Sequence, residues 1–392
     1  MSLFQEQENT VDWGRKGSQA VVTLACLFVV LAGMKIAAGV LVPVVYGFFL
    51  AVLSYPLVRW LRKHRVPSVI ALGITMLVNL SLLAGLLTVG VRLLINFWAD
   101  LPRYLRGVQR YVTDFAGWLE AKGVDDAKNL VAGIFDWNTI FGYATQQDVM
   151  KTLGGFLGTT FGTLATVFGS LIMTLIVMMF ILMEAQGTQS RLQAVNRSGG
   201  PDFTGLMRSA SDIQKYLGVK TLISALTGVM AGIWCWAFDL HYPLLWALLA
   251  FLFNFIPAVG STAASLPAIV EALVQHGPTQ AVIIAVGYGG INFCLDNFVQ
   301  PTMLGNRFGI SPLVVILSVI FWGWLWGPLG MFLAVPLTMV LKVLLDNSTE
   351  FQWISVAMAK KKVRHGEVEM AGYDLGDETV GGGASTENPN RK

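Results

Sequence analysis

The chain has 392 residues, 54% of them hydrophobic and only 13% charged, with a mean hydropathy of +0.61. An ordinary soluble domain carries about 25% charged residues, so roughly half of the usual charged surface is missing. This excludes a disordered chain, a disulfide scaffold and nearly every cytosolic enzyme, and leaves an integral membrane protein embedded in the lipid bilayer. The net charge of +3 gives no overall basic field, so nucleic acid is not an expected partner. Cys26, Cys235 and Cys294 lie far apart inside apolar runs and spell neither a disulfide framework nor a zinc site.

Residues 1–18 are mostly polar and include Glu6, Glu8 and Asp12, so they read as a cytoplasmic N-terminus ahead of an anchor that stays. A bilayer crossing takes about 20 apolar residues. That ruler gives spans near 19–34, 36–61 and 66–97, then 153–183, 213–238, 242–275, 278–300 and 311–345. The fold class expected is an all-α polytopic membrane protein of about eight spans. Two of the spans exceed one straight crossing. The first is interrupted by Asn254, Pro257 and Gly260, the second by Gly327, Pro328, Gly330 and Pro336. Proline removes a backbone donor and clashes with the preceding turn, so both read as broken or hairpin-like helices.

Lysine and arginine concentrate at 59–65, at 191–220 and in the tail near 360–364. The positive-inside rule then puts both termini in the cytoplasm. Between spans three and four, 98–152 reads as an extracytoplasmic helical insert. Leu101, Leu105, Val108, Val112, Phe115 and Leu119 form its apolar stripe. That stripe suits either a helix lying on its own membrane domain or a subunit contact. Residues 153–345 hold spans four to eight, and 346–392 read as a largely disordered cytoplasmic tail. Gly154, Gly158 and Gly162 form one small-residue stripe, and Ser224, Gly228 and Gly232 a second, both suited to close helix packing in lipid.

The chain holds no G-x-x-x-x-G-K-[ST] loop, no H-E-x-x-H pair and no G-x-S-x-G elbow. No catalytic residue, cofactor or metal is therefore expected, and the protein reads as a non-enzyme. What remains is polar chemistry inside apolar spans. Asn292, Asp296 and Gln300 lie four apart, with Asn297 beside them, and face either a cavity or the outer interface. Glu271 reads as interfacial. Asn254, just ahead of Pro257, suits either the backbone groups freed by the proline or a solute.

The run Asn254-Phe255-Ile256-Pro257-Ala258-Val259-Gly260 resembles the N-F-I-P-x-[IV]-G signature of the autoinducer-2 exporter family of bacterial permeases. Asp296-Asn297-Phe298-Val299-Gln300-Pro301 with Leu304-Gly305 is similar to its second motif, and Gly327-Pro328-Leu329-Gly330-Met331 with Val335-Pro336-Leu337 to its ending. The resemblance covers roughly residues 15–355; Ser261 departs from it, because members usually carry proline there. It implies an inner-membrane transporter, in some members an exporter of the furanone autoinducer-2 and in others a sodium/proton antiporter. It also implies a homo-oligomer, as a pentamer.

The leading expectation is a secondary carrier or facilitator exporting a small polar solute, with the path lined by the two interrupted spans, the Asn292–Gln300 face and Pro301. Sodium/proton antiport at Asp296 is the alternative. A scaffold or assembly factor that moves nothing is the third reading.

Overall fold

The computed structural model describes residues 21–123, 169–185, 204–257, 259–304, 311–346, 357–358, 361–364 and 367–370. In chain order its helices begin with α1 (Val21–Ile36), α2 (Ala38–Lys63), α3 (Ser68–Ala121), α4 (Gly169–Ala185) and α5 (Thr204–Ala237). There follow α6 (Pro243–Phe253), α7 (Gly260–His276) and α8 (Pro278–Cys294). A π turn at Leu295–Val299 leads into α9 (Gln300–Leu304), and α10 (Pro312–Phe332) and α11 (Ala334–Asp346) close the membrane domain. Outside it, β1 (Lys361–Arg364) and β2 (Glu367–Met370) pair antiparallel, with Lys361 opposite Met370. Among the described residues, five helices are long and apolar enough to cross a bilayer. The fold is an all-helical membrane fold.

Helix α3 is a single helix of 54 residues. At 1.5 Å per residue it runs about 80 Å, far beyond a hydrocarbon core of about 30 Å. The amphipathic segment predicted from residue 98 thus begins as a rigid continuation of the third span. A Cβ on Gly107 of this extension would overlap the Val274 side chain near the end of α7, so the extension lies close against it.

The two interrupted spans both turn back. In the first, α6 and α7 lie side by side: His241 N donates to Glu271 Oε1 at 2.8 Å, and His276 Nε2 meets the Asp239 carbonyl at 3.3 Å. Residues that begin and end the segment are therefore neighbours. In the second, Gly327 adopts φ 67, ψ −152, a conformation open essentially to glycine alone. Beyond it the chain reverses, so that Trp322 Nε1 donates to Thr338 Oγ1 at 3.1 Å.

Helices α5 and α8 are antiparallel, since Gln280 Nε2 bonds the Phe238 carbonyl at one end and Lys220 Nζ bonds Gln300 Oε1 at the other. The base of hairpin 1 (α6–α7) sits at the Phe238 end. Hairpin 2 (α10–α11), entered shortly after Leu304, has its base at the Gln300 end. The pair is inverted. Neither hairpin adds a crossing.

Hairpin 1 is lined by alanine at every fourth position of α7 (Ala264, Ala268, Ala272), all fully buried, with Trp246, Ala231, Cys235 and Ile284 around them. Small residues at this spacing let helices approach closely in lipid. Hairpin 2 packs Trp322, Leu325, Leu333 and Leu337 against Phe49 of α2 and Tyr216 and Leu217 of α5.

The hairpins change one topological expectation. A cysteine at Thr279 is expected to be labelled by an impermeant thiol reagent from the same side as a cysteine at Lys122. Eight straight crossings put these positions on opposite sides, so opposite-side labelling would refute hairpin 1.

Candidate functional site at the hairpin tips

At the tip of hairpin 1, α6 ends at Phe253 and Asn254 follows, only 3% exposed. The Asn254 amide Nδ2 donates to Ser224 Oγ of α5 at 3.0 Å. A Cβ on Gly260 would overlap the Phe253 carbonyl oxygen, so the second arm starts directly against the end of the first. Hairpin 2 uses the same device. A Cβ on Gly330 would overlap the Trp322 carbonyl oxygen.

Breaking a helix leaves carbonyls and amides without intrahelical partners. Around hairpin 2, two side-chain bonds engage such groups: Tyr46 Oη of α2 donates to the Leu329 carbonyl at 3.0 Å, and Trp326 Nε1 donates to the Met34 carbonyl at 3.2 Å. The two tips meet. Phe255 of hairpin 1 stacks on Phe332 of hairpin 2, ring centroids 4.3 Å apart and 22° from parallel.

Beside the tips lies a buried cation. Lys220 is 6% exposed on α5, one turn before Ser224, and its Nζ donates to Gln300 Oε1 at 3.5 Å. The Asp296 carboxylate acts electrostatically on the same ammonium. Ammonium, carboxylate, amide and hydroxyl groups thus run along α5 from Gln300 and Asp296 to Asn254. This set can donate to and accept from a hydroxylated solute, or move a proton with an ion. No cluster of three His, Cys, Asp or Glu side chains that could hold a metal occurs among the described residues.

A family model described as AI-2E family transporter matches residues 24–350. The chain belongs to the AI-2E transporter family. It is similar to the AI-2 transport protein TqsA of Escherichia coli K12, 32% identical over 343 residues, which cover 88% of this chain and 96% of that protein. A Haemophilus influenzae protein is 33% identical over 340 residues, 84% of this chain and 93% of its own length. The Escherichia coli protein YhhT is 27% identical over 334 residues, 85% and 92% respectively. The protein is a multi-pass membrane transporter, and the scaffold reading falls away.

Within this family member, the residues singled out from the sequence occupy distinct places. Asn254 and Gly260 are buried at tip 1, with Pro257 half-buried. Gly327 and Gly330 form tip 2, where Pro328 is exposed, and Pro336 is buried in α11. The face proposed on α8 is divided. Asn292 and Gln300 are half-buried, while Asp296, Asn297 and Pro301 are exposed. Asn297 Nδ2 bonds back to the Phe293 carbonyl at 3.0 Å. The i→i+5 closure of the π turn adds about one residue to that turn, which displaces Gln300 around the axis from a plain four-residue repeat. Gly228 and Gly232 admit the α6 backbone, because a Cβ on either would lie 2.7 Å from the carbonyl or Cβ of Ala247. Gly154, Gly158 and Gly162 lie outside the described residues.

Two charged residues join the site that the sequence does not single out for it. Lys220 counted only as part of a basic loop, although a lysine four residues before a serine on an apolar helix edge is a legible polar stripe. Glu271, expected at an interface, is 1% exposed. Its carboxylate accepts bonds from the His241 amide, Trp246 Nε1, Gln275 Nε2 at 2.7 Å and Tyr104 Oη at 3.5 Å. Nearby, Tyr242 Oη donates to Asp100 of α3, and burial followed by that bond pushes its hydroxyl well above its usual range.

Proposed function

We propose that the protein exports a small, polar, organic solute of the autoinducer-2 type across the bacterial inner membrane, with both termini cytoplasmic. The observation that carries this reading is the meeting of two inverted hairpins, tip to tip, beside Lys220, Gln300 and Asp296. Discontinuous helices offer backbone donors and acceptors at mid-membrane, where carriers of this build bind cargo. Asn254, Asn292, Asn297 and Gln300 supply hydrogen bonds, and the Pro257, Gly260, Pro301, Gly327, Pro328, Gly330 and Pro336 positions shape the path. The name of the Escherichia coli relative supports the furanone as the first solute to try. The exposed apolar face of α1 suits lipid or a neighbouring copy of the chain, and a homo-oligomer, as a pentamer, is what the family resemblance implies.

A second reading rests on the Lys220–Asp296 pair, because ionisable residues inside a membrane often mark proton or ion pathways. In it, Asp296 exchanges a proton for sodium. Purified protein in liposomes distinguishes the two. The expected result is downhill flux of autoinducer-2 or of a polyol such as ribitol, independent of a pH gradient. Sodium flux driven by a pH gradient, without solute flux, would overturn the solute reading in favour of antiport.

A further inference from the structure

We infer that Glu271 is a positioning residue for transport: its carboxylate latches the outer base of hairpin 1 shut, and the base stays shut while the tip works. The inference rests on the transport reading above but concerns a different place, the end of the hairpin remote from Lys220 and Gln300.

The latch gathers three elements on one carboxylate. From the loop before α6 comes the His241 backbone amide, from α6 the Trp246 indole and from α3 the Tyr104 hydroxyl. Gln275, one turn along α7, donates to Glu271 Oε1 and to Tyr104 Oη at 3.1 Å. A backbone amide and an indole N–H can only donate, so both carboxylate oxygens are required as acceptors. Phe97 fills the space beside this network, its ring 5.2 Å from Trp246 and 5.6 Å from Tyr104. Gly107 then lets the α3 extension lie against Val274, and Gly277 comes within reach of Tyr111 on that extension. The base is thus tied at several points to a helix that projects out of the membrane. At the tip, by contrast, the described residues make one side-chain bond to α5, Asn254 to Ser224, and one ring stack to hairpin 2. A lever held this way pivots at the base and moves at the tip.

The titratable groups that interact with Glu271 are His241, Tyr104, Tyr242, Cys235 and Tyr288, with Asp100 beyond them against Tyr104 and Tyr242. Of these, His241 Nδ1 lies 3.8 Å from Oε1 with its side chain 63% exposed. Among the described groups around Glu271, the His241 ring is thus the exposed one.

The test uses the full-length protein, with its three cysteines replaced by serine, carrying Asp239→Cys and His276→Cys. A short bifunctional thiol reagent bridges the two exposed positions at the base, and autoinducer-2 efflux from proteoliposomes is measured. With Glu271 present, bridging is expected to be nearly complete and to leave the efflux rate within twofold. Glu271→Gln places an amide NH2 against a donor, and is expected to cut both bridging yield and efflux at least tenfold. Efflux then recovers in the fraction that does bridge. Loss of efflux on bridging the Glu271 protein would show that the base must open, which overturns the proposal. So would normal efflux in Glu271→Gln, or a loss that bridging does not restore, since the latter assigns Glu271 a chemical step. Trp246→Phe, which deletes a single donor, gives the same readouts at smaller size if Glu271→Gln does not fold. If the Glu271 protein moves no autoinducer-2, the solute reading fails on its own, and the bridging yield still decides the latch: an equal yield with and without Glu271 refutes it.

Discussion

Lys220→Met is expected to lower the initial rate of solute efflux from proteoliposomes by about tenfold to a hundredfold, while Asp296→Asn retains most of it. Lys220 is buried in α5, and its Nζ is the donor that meets Gln300 Oε1. Deleting one partner of a buried hydrogen bond costs about 1–3 kcal/mol, and each 1.4 kcal/mol is a factor of about ten. Methionine keeps the length and the apolar stem of the side chain, so packing against α5 neighbours is largely conserved. Asp296 differs because its side chain is exposed on the chain and an amide keeps its hydrogen-bonding capacity. Antiport reverses the order. Without a carboxylate at 296 no proton can be exchanged for sodium, so Asp296→Asn would abolish pH-driven sodium flux entirely. Measuring both fluxes for both variants therefore separates the two mechanisms in one set of vesicles.

The breaks were legible in the sequence because proline and glycine act locally. Pro257 with Gly260 and Gly327 with Pro328 and Gly330 disfavour a continuous helix more than a lone proline does, since Pro102 and Pro267 sit inside unbroken ones. Direction after the break was not legible. Hydropathy has no sign for up or down, so 242–275 and 311–345 read equally as long kinked crossings or as hairpins. What decides between them is pairing across the turn, such as Trp322 with Thr338 and His241 with Glu271, between residues 16 and 30 positions apart.

Side-chain direction on α8 is hard to read for a related reason. Spacing by four assumes regular α geometry, and nothing in Leu295–Val299 announces a π turn. Lys220 and Glu271 do not stand out in the sequence, because a charge near the end of an apolar run is usually solvated. Here elements distant in sequence reach each of them, α9 for Lys220 and α6 with the α3 extension for Glu271.

Gly260→Ala and Gly330→Ala are each expected to reduce efflux at least tenfold, with Gly289→Ala as the silent control. At Gly260 the added Cβ would fall on the Phe253 carbonyl oxygen, and at Gly330 on that of Trp322. Both obstacles are backbone, so no rotamer change relieves them and the second arm of the hairpin must move. Overpacking of this kind costs roughly 1–3 kcal/mol, enough to lower thermal stability without preventing folding. The larger effect is on geometry. At Gly260, moving α7 away from α6 pulls Phe255 off Phe332 of hairpin 2 and Asn254 off Ser224 of α5, the contacts that hold tip 1 in place. A Cβ at Gly289 meets nothing within 4 Å, and alanine there tests helix propensity alone. Efflux rates, size-exclusion profiles and unfolding temperatures of the three variants give the comparison. Wild-type efflux in both tip variants would mean that close apposition of the hairpin arms is not needed for transport.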